Sequence, residues 1–232
     1  MQTYKLRQTI SVPIARIEMH SSKPLSFENG FGVRGFIGKH FTDNALFHNH
    51  TSDELVYSYP RVQYKIIDSE AVVLGLAEGV QAIKCIPPFE QIILGHETVK
   101  IDSIDLSEGQ SILGLAADKQ SYSFLSPWLA LNEKNYDQYK RLKGWPEKKE
   151  LLEKVLIGNI ISMSKSLGYT VPEPIKASIN KMKEVPTTLK GTPMLGFLGE
   201  FSVNFEIPDY WGIGKSVSRG FGTIKRVSEF KS

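Results

Sequence analysis

A single cysteine, Cys85, stands among the 232 residues. One thiol excludes an internal disulfide framework and points to a reducing compartment. No apolar run reaches the length needed to span a bilayer. The N-terminal stretch MQTYKLRQTISVPIARIEMH alternates polar and apolar residues and lacks the continuous apolar segment of a secretion signal. A cytoplasmic chain without membrane attachment is the expectation. What remains is ordinary: 41% hydrophobic and 23% charged residues place the chain among globular proteins. Its length accommodates one large domain or two of about 110 residues each.

Net charge is also small, +3, but it is unevenly placed. From Pro208 onward there are five cations (Lys215, Arg219, Lys225, Arg226, Lys231) against Asp209 and Glu229, so the preceding 207 residues sum to zero. The whole excess falls on a glycine-rich segment and the strand leaving it. Positive charge on an amide-rich loop suits a polyanion better than a neutral metabolite. Lysines placed for solubility on a terminal strand are the competing explanation.

Along the chain, residues 3–18 alternate as one strand. The stretch GFGVRGFIGKHF (30–41) has roughly helical spacing of Phe31, Gly35 and Ile37, but its four glycines make it a poor helix. Residues 44–54 are turn-rich and polar. YSYPRVQYKIID (57–68) and EAVVLGL (70–76) predict a strand pair turning at Asp68-Ser69, followed by a short helix over 77–85 and strands over 91–106. That is a β-α-β-β-α-β run. In the second half, strands are expected at 111–117 and 122–131. Two helices follow over 131–168, parted by Gly144-Trp145-Pro146, and then strands at 175–190, 194–207 and from Thr223 to Phe230. The expected fold is α+β, with tandem ferredoxin-like (RRM-like) domains, antiparallel sheets and helices on one face. The domains are placed at 1–108 and 109–232.

Two motifs invite chemistry. GIGKS (212–216) hints at a nucleotide-phosphate loop, but the first glycine of that pattern would fall on Asp209, and the segment leads to a strand instead of opening a helix. The third glycine of a dinucleotide fingerprint would fall on Val217. Nucleotide hydrolysis is therefore not expected. His48-Asn49-His50 spells the letters of a metal nuclease motif, yet no cysteine cluster or carboxylate pair accompanies it, so no metal and no cofactor are expected. Histidine can instead exchange protons near neutral pH without a metal. RNA carries its own nucleophile, the 2′-hydroxyl, and needs only a base, an acid and in-line geometry. Lys39, Tyr57, Tyr59, Tyr64 and Lys65 flank the histidines in sequence. The plain alternative is that His48 packs beside Phe47 and His50 caps a turn.

The segment formed by Gly212, Ile213, Gly214, Lys215, Ser216, Ser218, Gly220, Phe221 and Gly222 resembles the C-terminal glycine-rich loop of the RAMP superfamily. MLGFLGEFSVNFEIPDYW (194–211), LFHNH followed by YSYPRVQYKI, and SPWLALNEKNY (126–136) are similar to the CRISPR-associated endoribonucleases that cut precursor crRNA at each repeat. The resemblance implies two ferredoxin-like domains and metal-independent cleavage by the 2′-hydroxyl, leaving a 2′,3′-cyclic phosphate and a 5′-hydroxyl. It implies His48 or His50 as the proton-transfer group, with His40 third, assisted by Tyr59 and Lys65. RNA contacts would come from Gly212, Gly214, Lys215, Ser216, Ser218, Arg219, Gly220 and Gly222. Implied partners are repeat RNA or crRNA and other CRISPR-associated proteins, with the chain a monomer or homodimer. A non-catalytic RNA-binding subunit of the same superfamily is the alternative, and a metal-dependent nuclease the third.

Overall fold

The computed structural model describes residues 8–41, 45–48 and 59–227. Their elements are β1 (Thr9–Ser21), α1 (Asn29–His40), α2 (Ala45–His48), β2 (Val62–Ile67), β3 (Glu70–Leu76), α3 (Gly79–Lys84), β4 (Gln91–Leu94), β5 (Glu97–Phe124), α4 (Glu133–Arg141), α5 (Trp145–Ser166), β6 (Ala177–Leu189), β7 (Thr192–Glu206) and β8 (Ile224–Arg226). They divide into two compact units. One comprises Val12–Ser111 together with Ser216–Gly220; the other comprises Ile112–Lys215 with residues 8–11 and 221–227. β5 contributes residues to both.

In the first unit the strands run in the order β2-β3-β1-β5, with β2 at the edge. Asp68 and Ser69 both take positive φ, 50° and 66°, closing the tight β2–β3 turn. Tyr64 pairs with Val73, and Val73 with Ile17, so one sheet face collects Ala15, Ile17, Met19, Val62, Tyr64, Ala71 and Val73 into a core. Helix α1 forms in spite of its glycines because Val33 and Ile37 are fully buried, and tertiary burial outweighs weak propensity. One glycine has a packing purpose: a Cβ on Gly32 would sit 3.0 Å from Leu94 Cδ2 and 3.2 Å from its Cα. Gly35 has no atom within 4 Å of such a Cβ, so Gly35→Ala is expected to stabilise the protein by about 0.5–1 kcal/mol in urea unfolding. A loss of stability would show that α1 needs that glycine.

In the second unit β5 pairs with β7 on one side and β8 on the other, and β7 pairs with β6, all antiparallel. The order β8-β5-β7-β6 repeats, position for position, the β5-β1-β3-β2 order of the first unit. Both are the ferredoxin-like arrangement expected from element order. Helices α4 and α5 follow the unit's first strand. Asn132 caps α4 by accepting from the Asn135 N–H at 2.7 Å, and Gly144 with Pro146 opens α5. Leu152, Leu156, Ile160 and Met163 form the buried stripe of α5. The position of a second crossover helix, between β7 and β8, is taken by the glycine-rich segment. It holds only a 3-10 turn, Val217–Arg219.

Some boundaries differ from expectation. Of the strands predicted over 91–106, β4 takes Gln91–Leu94, and the part from Glu97 is continuous with the strand predicted over 111–117 in one strand, β5, because Gly109 and Gly114 sit in extended backbone rather than in a turn. Residues 125–131 are not strand; they form a loop in which Trp128 bridges to Phe197. The first strand runs to Ser21, and β8 ends at Arg226.

Candidate nucleic-acid interface and catalytic residues

The sequence-predicted residues fall into both units. In the first, the turn 216–220 lies against β2: a Cβ on Gly220 (φ 86°) would meet the Tyr64 carbonyl oxygen at 2.9 Å and Lys65 Cα at 3.6 Å. Two bonds close the turn, from Arg219 N–H to the Ser216 carbonyl at 2.8 Å and from Gly220 N–H to the Val217 carbonyl at 3.0 Å. Ser216 adopts the left-handed conformation at φ 56°. Ser216 is half-buried, whereas Ser218 is only 7% exposed.

Beside this turn stands Arg34 of α1, which sequence reasoning did not select. Burial and then the neighbouring Arg34 guanidinium hold Arg219 below its ordinary value. Burial also lowers Arg34, opposed by Tyr64. The Tyr64 side chain is fully buried, and its hydroxyl has no hydrogen-bond partner among the described residues. Burial pushes that phenol up. The signal available in the sequence was modest: Arg34 lies inside an otherwise glycine-rich and apolar helix, one position after the buried Val33.

Lys65 is adjacent to Tyr64 on β2, so its side chain takes the opposite sheet face. It is 1% exposed, and burial lowers it to about 7. Tyr59 is half-buried, and its carbonyl accepts from Arg61 Nη1 at 2.9 Å. His48 ends α2; its side chain and all of His50 lie outside the described residues, as does Tyr57. Phe47 is 2% exposed and stacks on Phe41 at 4.7 Å between centroids. His40, at the last position of α1, is exposed. Its Nδ1 donates to the Phe36 carbonyl at 2.8 Å, and its ring lies 4.5 Å from Phe36 and 5.3 Å from Phe89. A carbonyl only accepts, so Nδ1 carries the proton and a neutral ring presents Nε2 as its acceptor nitrogen.

In the second unit the glycines of the segment face the chain itself. A Cβ on Gly214 would fall 2.6 Å from Trp128 Nε1, and one on Gly222 would fall 1.9 Å from the Ile213 carbonyl oxygen. Gly212 pairs with Thr223. Lys215 is exposed and borders a groove of about 680 Å³ with Tyr136, Pro186 and Met194. Asp209, the residue that argued against a nucleotide loop, accepts from the Arg226 N–H at 2.7 Å. Among the described residues, no three His, Cys, Asp or Glu side chains are grouped to hold a metal ion, and no helix is long and apolar enough to cross a membrane.

The family model of the Cas6b N-terminal domain matches residues 10–111, and that of the Cas6b C-terminal domain matches residues 114–227. The chain belongs to the Cas6b family. A crystal structure of Cas6b superposes with a TM-score of 0.87 at 39% identity, covering 94% of this chain and 100% of that one. A second, described as the CRISPR RNA processing endoribonuclease Cas6b, gives 0.76 at 36% identity over 94% and 100%. An uncharacterized protein of Methanocaldococcus jannaschii is 48% identical over 139 residues, which is 60% of this chain and 88% of that protein. The boundary between the two Cas6b domain models falls inside β5.

Proposed function

We propose that this Cas6b chain is an endoribonuclease that cuts repeat RNA in precursor CRISPR transcripts to release crRNAs. The observation that carries the reading is the match of both halves of the chain to Cas6b, including a relative 36% identical over its whole length that is described as a CRISPR RNA processing endoribonuclease. Residues 1–108 would supply the proton-transfer groups and residues 109–232 the glycine-rich segment. The 2′-hydroxyl attacks the adjacent phosphorus while the 5′-oxygen leaves, so the products are a 2′,3′-cyclic phosphate and a 5′-hydroxyl. One group takes the 2′-hydroxyl proton and another protonates the leaving oxygen; no metal or other cofactor enters the step.

His48 and His50 are the candidates that sequence supplies, and the geometry supports His40 alongside them. Its ring is exposed, fixed through Nδ1, and offers Nε2 as a base. Tyr59 and Lys65 are the assisting groups. The glycines act first by letting the segment fold against its own backbone, leaving Lys215, Ser216 and Arg219 as its contacts to phosphate, with Ser218 behind them. The chain would act as a monomer or homodimer in the cytoplasm, handing crRNA to other CRISPR-associated proteins.

The test is incubation of purified protein with labelled repeat RNA in excess EDTA, beside the same RNA carrying one 2′-deoxy residue at the mapped cut. A discrete product with the first and none with the second is expected. Alanine at His40, His48 or His50 should lower that cleavage at least about 100-fold for the residue that transfers the proton. RNA that is retarded but never cut would assign the chain to the non-catalytic RNA-binding subunits, and loss of cutting in EDTA would overturn the metal-free step.

A further inference from the structure

Helix α4 and the β6–β7 hairpin form the two walls of the groove of about 680 Å³, which lies wholly within the second unit. The walls are pinned together: the Tyr139 hydroxyl of α4 donates to Glu184 Oε1 of β6 at 2.8 Å, and Lys148 Nζ reaches the same oxygen at 3.4 Å. The hairpin wall is apolar, with Pro186 paired opposite Leu195 and Met194 beside them. The α4 wall carries Glu133 and Tyr136, three residues apart and therefore on one helix face. Tyr136 is 40% exposed. Lys140 Nζ stands 5.8 Å from its ring centroid but does not line the groove, so the cation takes a different side of the ring. Among the described residues the Glu133 carboxylate has no ion pair or hydrogen bond. A carboxylate in the first turn favours the helix dipole. That accounts for Glu133 alone, not for an exposed ring facing an apolar wall beside it.

The chemistry of the lining selects an occupant. Two carboxylates, Glu133 and Glu184, repel phosphate, so the groove does not take RNA backbone. β6 is the edge strand, and a proline within it works against an extended peptide adding there. A tyrosine ring opposite flat apolar side chains suits a planar heterocycle. Lys215, a phosphate contact in the reading above, borders the same groove and brings an RNA strand alongside it. Of the four bases only guanine presents two adjacent donors on its Watson–Crick edge, N1–H and the 2-amino group. A carboxylate accepts that pair with both oxygens.

We infer that this groove holds one unpaired guanine of the repeat RNA, stacked on Tyr136, with its N1–H and 2-amino group donating to Glu133. The inference rests on the ribonuclease reading and deepens it, since it makes the groove a specificity-determining site for the nucleotide beside Lys215. Glu184 is a positioning residue, its Oε1 already engaged by Tyr139 and Lys148.

The experiment measures equilibrium binding of labelled repeat RNA by the full chain across a salt series. Each guanosine is replaced in turn by inosine, which lacks only the 2-amino group. The proteins are the parent, Glu133→Gln, Tyr136→Ala and Tyr136→Phe, with Asp137→Asn, on the same helix but outside the groove, controlling for loss of a negative charge. Inosine at one position should weaken binding to the parent about 5- to 10-fold. Glu133→Gln should weaken binding of the unmodified RNA by a similar factor and be indifferent to inosine at that position. The slope of log K against log salt should stay at the parent's value, because no phosphate contact is lost. Tyr136→Ala should lose about 10-fold and Tyr136→Phe should retain parental affinity. Simple electrostatics predicts the opposite sign for Glu133→Gln, since removing a carboxylate favours a polyanion, and Asp137→Asn should show that sign. Glu133→Gln binding as tightly as the parent or more tightly would overturn the site, as would the absence of any inosine position that couples to Glu133. RNA binding untouched in Glu133→Gln and Tyr136→Ala alike would leave the groove to a protein partner and also overturn it. A parent that neither binds nor cuts repeat RNA brings down the ribonuclease reading as well; a parent that cuts while these variants bind as it does brings down the guanine site alone.

Discussion

Gly222→Ala is expected to cost about 3 kcal/mol or more and to leave much of the chain unfolded under conditions where the parent is folded. Two effects add. The residue sits at φ 62°, where an L side chain is strained by about 1–2 kcal/mol. The new Cβ would then fall 1.9 Å from the Ile213 carbonyl oxygen and 3.0 Å from its carbonyl carbon, so backbone must move. That backbone is tied down: Ile213 N–H donates to the Gly222 carbonyl at 2.9 Å, and Gly222 N–H to the Pro127 carbonyl at 2.9 Å. Gly214→Ala makes the comparison: it too sits at positive φ, 94°, but its nearest obstacle is the side-chain Nε1 of Trp128 at 2.6 Å, with the Leu129 carbonyl oxygen farther off at 3.1 Å, and the indole can give at the cost of its 3.1 Å bond to Asn159; a loss of about 2–3 kcal/mol, smaller than at Gly222, is expected there. Urea midpoints decide the matter. A Gly222→Ala variant within 1 kcal/mol of the parent would mean that the segment's glycines are not demanded by its own packing.

Lys65→Met is expected to raise stability, and by an amount that depends on pH. The native ammonium is lowered by burial from 10.5 to about 7, while in the unfolded chain it titrates near its ordinary value. Between these values the unfolded state binds a proton that the native state does not, so parental stability rises with pH across that window. Below pH 7 the cost of burying the charge is present in full, and it fades as pH approaches 10.5. The methionine variant should therefore exceed the parent by about 2–3 kcal/mol at pH 6 and by less than about 1 kcal/mol at pH 10. The same pH slope in both proteins would remove Lys65 as its source. Cleavage at pH 7 separates roles: a stabilised variant that cuts normally makes Lys65 structural, and a stabilised variant that has lost cutting makes it a proton carrier.

The repeated element order was legible because strand alternation and the turn residues Asp68-Ser69 are local signals; both of those residues do take positive φ. The helix α1 was harder to read, since its stability comes from what Val33, Ile37 and Gly32 meet in space and not from the residues themselves. The continuity of β5 was hidden because Gly109 and Gly114 look like breaks. At the candidate site the glycine-rich segment could be found from sequence, but its neighbour Arg34 could not. The two are 185 residues apart, and nothing in either stretch names the other. Lys65 reads as a surface cation beside tyrosines until the fold closes over it.

The turn 216–220 belongs to the unit that the first half of the chain builds. A nascent chain emerging from the ribosome can therefore assemble β1, β2, β3 and their helices early. The flank of β2 stays uncovered by this turn until residue 220 has been made. For that interval the strand offers unpaired backbone to any other extended chain nearby. The first domain is thus completed only after the chain up to residue 220 has been made, and a chain truncated before the glycine-rich segment is expected to aggregate more readily than the parent, as light scattering would show.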